Sequence, residues 1–153
     1  MTESLSLDEI IKIAKAAASC GVKRMRFTGG EPLVRDDTVE MIKAVKKIKG
    51  IEKTALTTNG ILLGKYIDKL AKAGLDSVSI SLDTLDREKY ERITGKDSLH
   101  TVTEAVKKAQ ALGNIDVKIN SVILKGINDD QVCRLASLAD DESTSVRFIE
   151  LMP

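Results

Sequence analysis

Ten consecutive residues, Arg26-Phe27-Thr28-Gly29-Gly30-Glu31-Pro32-Leu33-Val34-Arg35, carry the densest set of groups able to do chemistry. Met25 to Thr28 reads as a short buried strand, ended abruptly by Gly29, Gly30 and Pro32. Two glycines at the C-terminal end of a strand let a ligand come up against bare backbone. Glu31 stands at the mouth of the strand, and Arg26 shares a strand face with Thr28. Backbone, carboxylate and cation at one strand end suit a zwitterionic or phosphorylated ligand. A strand leaving through a Gly-Pro turn explains the same residues with no ligand at all, so other strands have to decide.

They carry a matching pattern. Thr57 and Asn59, then Ser79, Ser81 and Asp83, then Lys118 and Asn120 alternate with apolar residues, and Arg147, Glu150 and Met152 stand near the last strand. Strands buried on both faces would be apolar throughout. Polar side chains on one face of five successive strands need partners, and a polar ligand at the strands' C-terminal ends supplies them. The decisive expectation is spatial: Arg26, Thr57, Ser81 and Lys118 gather at one rim.

Helices must position these strands. Ser6 and Glu9 have capping-box spacing ahead of Ile10, Ile13, Ala14 and Ala17. Asp37 and Glu40 have cap spacing ahead of Met41, Val45 and Ile48. Leu63, Ile67, Leu70 and Ala71 make a third face, Val102, Val106, Ala109 and Leu112 a further one, and Val132, Leu135, Ala136 and Ala139 the last. Arg87–Thr94 reads as a polar helical turn, and Gly126-Ile127-Asn128-Asp129 as a turn and cap. Strands are expected at Thr54–Asn59, Ser77–Asp83, Val117–Leu124 and Val146–Leu151. Helix then strand, five times over, with a glycine at the junction (Gly21, Gly74, Gly113), predicts parallel strands joined by right-handed crossovers. A doubly wound sheet and a (β/α) barrel both fit. Opening on a helix and ending after a strand suggest a piece of a larger barrel.

Composition excludes several classes. The chain has 153 residues, 42% apolar and 31% charged, with net charge +1, so bulk charge gives no case for nucleic acid or an acidic membrane. No apolar run reaches membrane length and no signal peptide is visible, which makes the cytoplasm the expected compartment. The two cysteines, Cys20 and Cys133, lack partners at ligand spacing and read as buried or idle thiols; no metal site is expected. His100 reads as a solvated surface residue, and Lys43–Lys49 as a solvated helix face. Phosphate-loop and dinucleotide fingerprints are absent: Gly64-Lys65 is followed by Tyr66 where Ser or Thr is needed.

Taken together, Arg26–Arg35, Thr57-Thr58-Asn59-Gly60, Ala73-Gly74-Leu75 with Ser81-Leu82-Asp83, Val117–Asn120, Gly126–Asp129 and Arg147–Pro153 resemble, in order, the radical S-adenosylmethionine family of GTP 3′,8-cyclases of molybdenum cofactor biosynthesis. The resemblance implies an incomplete (β/α) TIM-type barrel over residues 1–153, with about five parallel strands and outer helices. It implies S-adenosylmethionine and a [4Fe–4S] cluster as cofactors and GTP as substrate. In the family an electron from the cluster cleaves S-adenosylmethionine, the resulting radical takes a ribose hydrogen from GTP, and the sugar closes onto C8 of guanine. By this resemblance Gly30 within Gly29–Glu31, Ser81 and the main chain near Met152 meet S-adenosylmethionine. Arg26, Thr57 and Lys118 hold GTP, the two cations against the triphosphate, with Arg147 a lesser candidate.

The family's Cys-x-x-x-Cys-x-x-Cys loop is missing from this sequence, as are the cysteines of its second cluster. The resemblance therefore implies a central portion of the enzyme, catalytically dead alone, and no residue is assigned as catalytic. Exposed sheet edges predict dimers or other self-association. Two other readings stay open: another radical S-adenosylmethionine enzyme, for instance one acting on peptides, and a non-catalytic nucleotide-binding or interaction protein.

Overall fold

The structure is a computed structural model that describes residues 5–139 and 142–151. In chain order the elements are α1 (Leu7–Ser19), β1 (Arg24–Phe27), a 3-10 turn (Pro32–Val34), α2 (Thr38–Lys46), β2 (Lys53–Thr58), α3 (Leu63–Ala73) and β3 (Ser77–Ser81). There follow α4 (Arg87–Thr94), α5 (Leu99–Ala111), β4 (Asp116–Ile123), a second 3-10 turn (Asp129–Gln131), α6 (Val132–Ala136) and β5 (Thr144–Glu150).

All four strand pairings are parallel, and the strand order is β1-β2-β3-β4-β5. A doubly wound sheet reverses direction at a switch point; this one never does. The architecture is thus the incomplete (β/α) barrel type. Leu56, Val78, Ile80, Val117 and Ile119 are all 0% exposed and belong to one core with Ile42, Ile67, Leu70, Val102 and Ala109 of the helices. Because side chains alternate along a strand, the residues between those apolar ones form the other face.

Local signals explain most boundaries. The expected capping box closes α1: the Ser6 hydroxyl accepts from the Glu9 N–H at 3.3 Å, and Glu9 accepts from the Ser6 N–H at 2.8 Å. Gly74 ends α3 with φ +96°, a left-handed conformation that costs glycine least.

Five local expectations need correction. The first strand is not buried; β1 is an edge whose residues alternate between exposed and partly buried. Asp37 does not cap α2 with its side chain: its carboxylate accepts two bonds from Arg35, at 2.6 and 2.8 Å, which outcompete the helix N–H groups. Lys46 is not part of a solvated face, since its ammonium donates to both oxygens of Asp76 at 2.7 Å. The last helix stops at Ala136 rather than reaching Ala139. Of the two alternatives for the cysteines, burial does not hold: Cys20 and Cys133 are exposed free thiols, because one caps the C-terminus of α1 and the other lies on the outer side of α6. No described helix is long and apolar enough to cross a membrane.

Candidate nucleotide site

The strand register aligns the polar residues in rows. Thr57 pairs with Ser79, Ser79 with Lys118, and Lys118 with Ser145. Two residues further along, Ser81 pairs with Asn120 and Asn120 with Arg147. Arg26 starts lower, beside Ala55 on β2. Its guanidinium then reaches along the sheet and donates to the Thr57 hydroxyl at 3.1 Å and the Ser79 hydroxyl at 3.0 Å. Arg26, Thr57, Ser81 and Lys118 therefore share the inner face, with Ser79 bonded to Arg26 and beside Lys118 in register. Alternation put Ser79 on this face, but only the register shows that it stands between the two cations.

Below that row, at the N-terminal ends of the strands rather than the C-terminal ends expected from sequence, lies a cleft of about 300 Å³ whose lining includes four cations, Arg24, Arg26, Lys53 and Lys118, and one carboxylate, Asp116. Among the described residues neither Arg26 nor Lys118 makes an ion pair. Ser77, 5% exposed, lines the same cleft, and its hydroxyl has no hydrogen-bond partner among the described residues. Higher on the inner face the buried Asn120 Oδ1 is likewise unpartnered. Buried polar atoms are rarely left unsatisfied, and an anionic ligand rich in hydrogen-bonding groups matches this lining. Arg24, Lys53 and Ser77 were not expected from sequence, whereas Asn120 was among the polar residues expected on this face. The first two look like ordinary strand-start cations, and no sequence signal distinguishes an orphaned hydroxyl from a satisfied one.

The glycine loop agrees with a ligand site in one respect and not in another. A Cβ added to Gly29 or Gly30 would meet nothing within 4 Å, so no protein packing demands glycine there and the backbone stands open. Glu31, however, does not offer its carboxylate to a ligand. One oxygen accepts from the Leu33 N–H at 3.1 Å and the Thr58 hydroxyl at 2.8 Å, and the other from the Asn59 N–H at 2.7 Å. It ties the loop after β1 to the end of β2.

Asp83 stands just past Ser81. Burial pushes its carboxyl above the ordinary range, partly offset by the Val122 N–H that it accepts at 2.7 Å. Met152 lies outside the described residues. Among the described residues no cluster of His, Cys, Asp and Glu could hold a metal ion, and the two thiols sit on separate helices. These residues do not fit an iron–sulfur cluster.

A Gly-Gly-Glu-Pro loop above a sequential parallel sheet with a polar inner face defines the class, and the family comparison agrees: the Radical SAM superfamily model matches residues 2–139, and the chain belongs to that family. Members of this family use S-adenosylmethionine and a [4Fe–4S] cluster. Within the family the chain is similar to the GTP 3′,8-cyclase of Moorella thermoacetica, 46% identical over 97% of this chain and 46% of that protein. It is 48% identical to molybdenum cofactor biosynthesis protein 1 of Dictyostelium discoideum over 97% of this chain and 24% of that protein. The chain thus spans half or less of the length of these relatives. Among solved structures, Streptococcus suis SuiB superposes with a TM-score of 0.80 at 26% identity, covering 99% of this chain and 35% of that one. Methylornithine synthase PylB superposes with a TM-score of 0.76 at 20% identity, over 99% and 45%, and so supports the fold alone.

Proposed function

We propose that this chain is the nucleotide-holding part of a GTP 3′,8-cyclase-type enzyme, one partial barrel domain over residues 1–153, working in the cytoplasm. One observation carries the reading: the inner face gathers four cations beside an unpartnered buried hydroxyl, in a cleft with one opposing carboxylate. Similarity to the cyclases supports GTP as the nucleotide. Two exposed free thiols suit a reducing compartment.

In this reading Arg26 and Lys118 grip the triphosphate by charge-assisted hydrogen bonds, and Arg24 and Lys53 add to the field. Thr57 accepts from Arg26 and so fixes the guanidinium while the Thr57 hydroxyl turns its own proton to the ligand. Holding GTP by its phosphates leaves the ribose free to be set against a second ligand above it. S-adenosylmethionine, reduced by one electron from a cluster that the described residues cannot hold, would supply the radical that begins the reaction. Its amino group meets the open backbone at Gly30, Ser81 hydrogen-bonds its polar part, and Asn120 Oδ1 gains the donor it lacks. Met152 is proposed for the adenosyl end by resemblance alone. The described residues offer no thiolate set for a cluster, so no step is assigned through one, and the chain by itself is proposed to be inactive.

Calorimetric titration with GTP tests this. GTP is expected to bind, with affinity falling steeply as salt rises, since Arg and Lys carry it. No binding of any guanine nucleotide would overturn the reading, and binding of a peptide instead would favour a peptide-modifying relative. The edges β1 and β5 are proposed to self-associate; exposed Phe148 and Ile149 on β5 support this, and a clean monomer in sedimentation velocity would refute it.

A further inference from the structure

The nucleotide reading gives no role to Gly126-Ile127-Asn128-Asp129, yet Asn128 is 0% exposed and its side chain makes three hydrogen bonds. Its location explains why that matters. The parallel ladder between β3 and β4 runs regularly as far as the Leu82 N–H, which donates to the Asn120 carbonyl at 3.0 Å. In a regular parallel ladder the Leu82 carbonyl would next accept from the Val122 N–H, and the Val122 carbonyl from the Thr84 N–H. Neither rung is made in that form. The Ser121 hydroxyl donates to the Leu82 carbonyl, and the Asp83 carboxylate accepts from the Val122 N–H at 2.7 Å. The Asn128 amide nitrogen donates to the Val122 carbonyl at 2.9 Å and to the Asp83 carbonyl at 2.7 Å. Its oxygen accepts from the Leu124 N–H at 2.7 Å.

Three side chains thus replace two backbone rungs, and a side chain set between two strands holds their ends apart. We infer that Asn128 is a positioning residue: its amide nitrogen splits β3 from β4 directly beyond Ser81 and Asn120 and sets the opening between them. That Ser81 and Asn120 meet S-adenosylmethionine rests on the reading above; the splitting does not. Asn128 acts through its donor. A simple loop cap would need only its oxygen, which serves Leu124 within the same loop.

The donor and the acceptor can be separated. Asn128→Asp keeps the oxygen for Leu124 but sets a carboxylate against two carbonyls; Asn128→Ala removes both functions. Amide hydrogen exchange of the whole 153-residue chain is measured residue by residue, together with calorimetry using S-adenosylmethionine. Both variants are expected to speed exchange of the Val122 amide by about tenfold or more while Leu56, Ile80 and Ile119 keep their protection. S-adenosylmethionine affinity is expected to fall by about tenfold with them. Ser121→Ala, a smaller change at the same junction, gives the same local pattern at lower amplitude and stands in if the Asn128 variants do not fold. If Asn128→Asp matches the unaltered chain while Asn128→Ala does not, the residue is only a loop cap and the inference falls. Exchange that rises evenly across all strands, or not at all, overturns it too. If the unaltered chain binds no S-adenosylmethionine while the exchange change stays local, the assignment of Ser81 and Asn120 to that cofactor fails and the splitting stands.

Discussion

The two faces of one sheet differ more than any two domains of this size need to. Outward, Leu56, Val78, Ile80, Val117 and Ile119 are fully buried under helices. Inward, one residue away along the same strands, stand Thr57, Ser79, Ser81, Lys118 and Asn120. The backbone is shared, so the difference lies wholly in side chains and what covers them. Stability is concentrated on the outer face, where apolar area leaves water. The inner face contributes little to folding and keeps its donors and cations for something else. Separating the two roles by alternation lets one face be tuned without collapsing the other.

Mutations on the two faces are expected to have opposite effects. Leu56→Ala or Ile119→Ala is expected to cost about 2–5 kcal/mol in urea unfolding, by lost transfer energy plus the cavity left behind. Nucleotide affinity measured well below the unfolding transition should stay near that of the unaltered chain. Lys118→Met is expected to do the reverse. Stability should move by less than about 0.5 kcal/mol, while GTP affinity falls by about tenfold or more, the loss of a charge-assisted bond. If Lys118→Met destabilises the chain as Leu56→Ala does, the inner face is core and the comparison fails.

A smaller effect sharpens it through two carboxylates. Burial alone would raise Asp76, but the Lys46 ammonium, the Thr54 N–H and the Thr54 hydroxyl outweigh it and hold Asp76 below the ordinary range. Its contribution to stability is present above the ordinary carboxylate value and lost as pH falls through the lowered one. Asp83 is shifted the other way by burial at the inner rim. Its contribution is complete below the ordinary value and lost as pH rises through the raised one. Unfolding measured against pH should therefore show Asp76→Asn flattening the acid limb and Asp83→Asn flattening the opposite one. Identical pH profiles for the two variants would contradict the assignment.

Most of the fold was legible because it rests on periodicity and punctuation. The spacing of Leu63, Ile67 and Leu70 reports burial directly, alternation along Ser77–Asp83 reports which face a residue takes although Ser77 and Ser79 are buried too, and glycine marks where α3 ends. The capping box at Ser6 is a local device and was readable as one. What stayed hidden depends on partners far along the chain. Asp37 had a competitor in Arg35, and β1 lies at an edge that its own apolar residues do not announce. In the site, the shared face of Arg26, Thr57, Ser81 and Lys118 followed from alternation. The turn of Glu31 toward Thr58 and Asn59, and the junction made by Asn128, join residues across two loops. No spacing rule connects such residues.

Because every strand lies beside its neighbours in sequence, most contacts join adjacent units, and the sheet can accrete from either side during folding. Each helix–strand unit adds one more step to the same rim, as a stave adds to a cask. Removing a unit at either flank narrows the cask without piercing it. Each stave's hold on whatever sits inside therefore depends on its own residues and on those of the staves beside it.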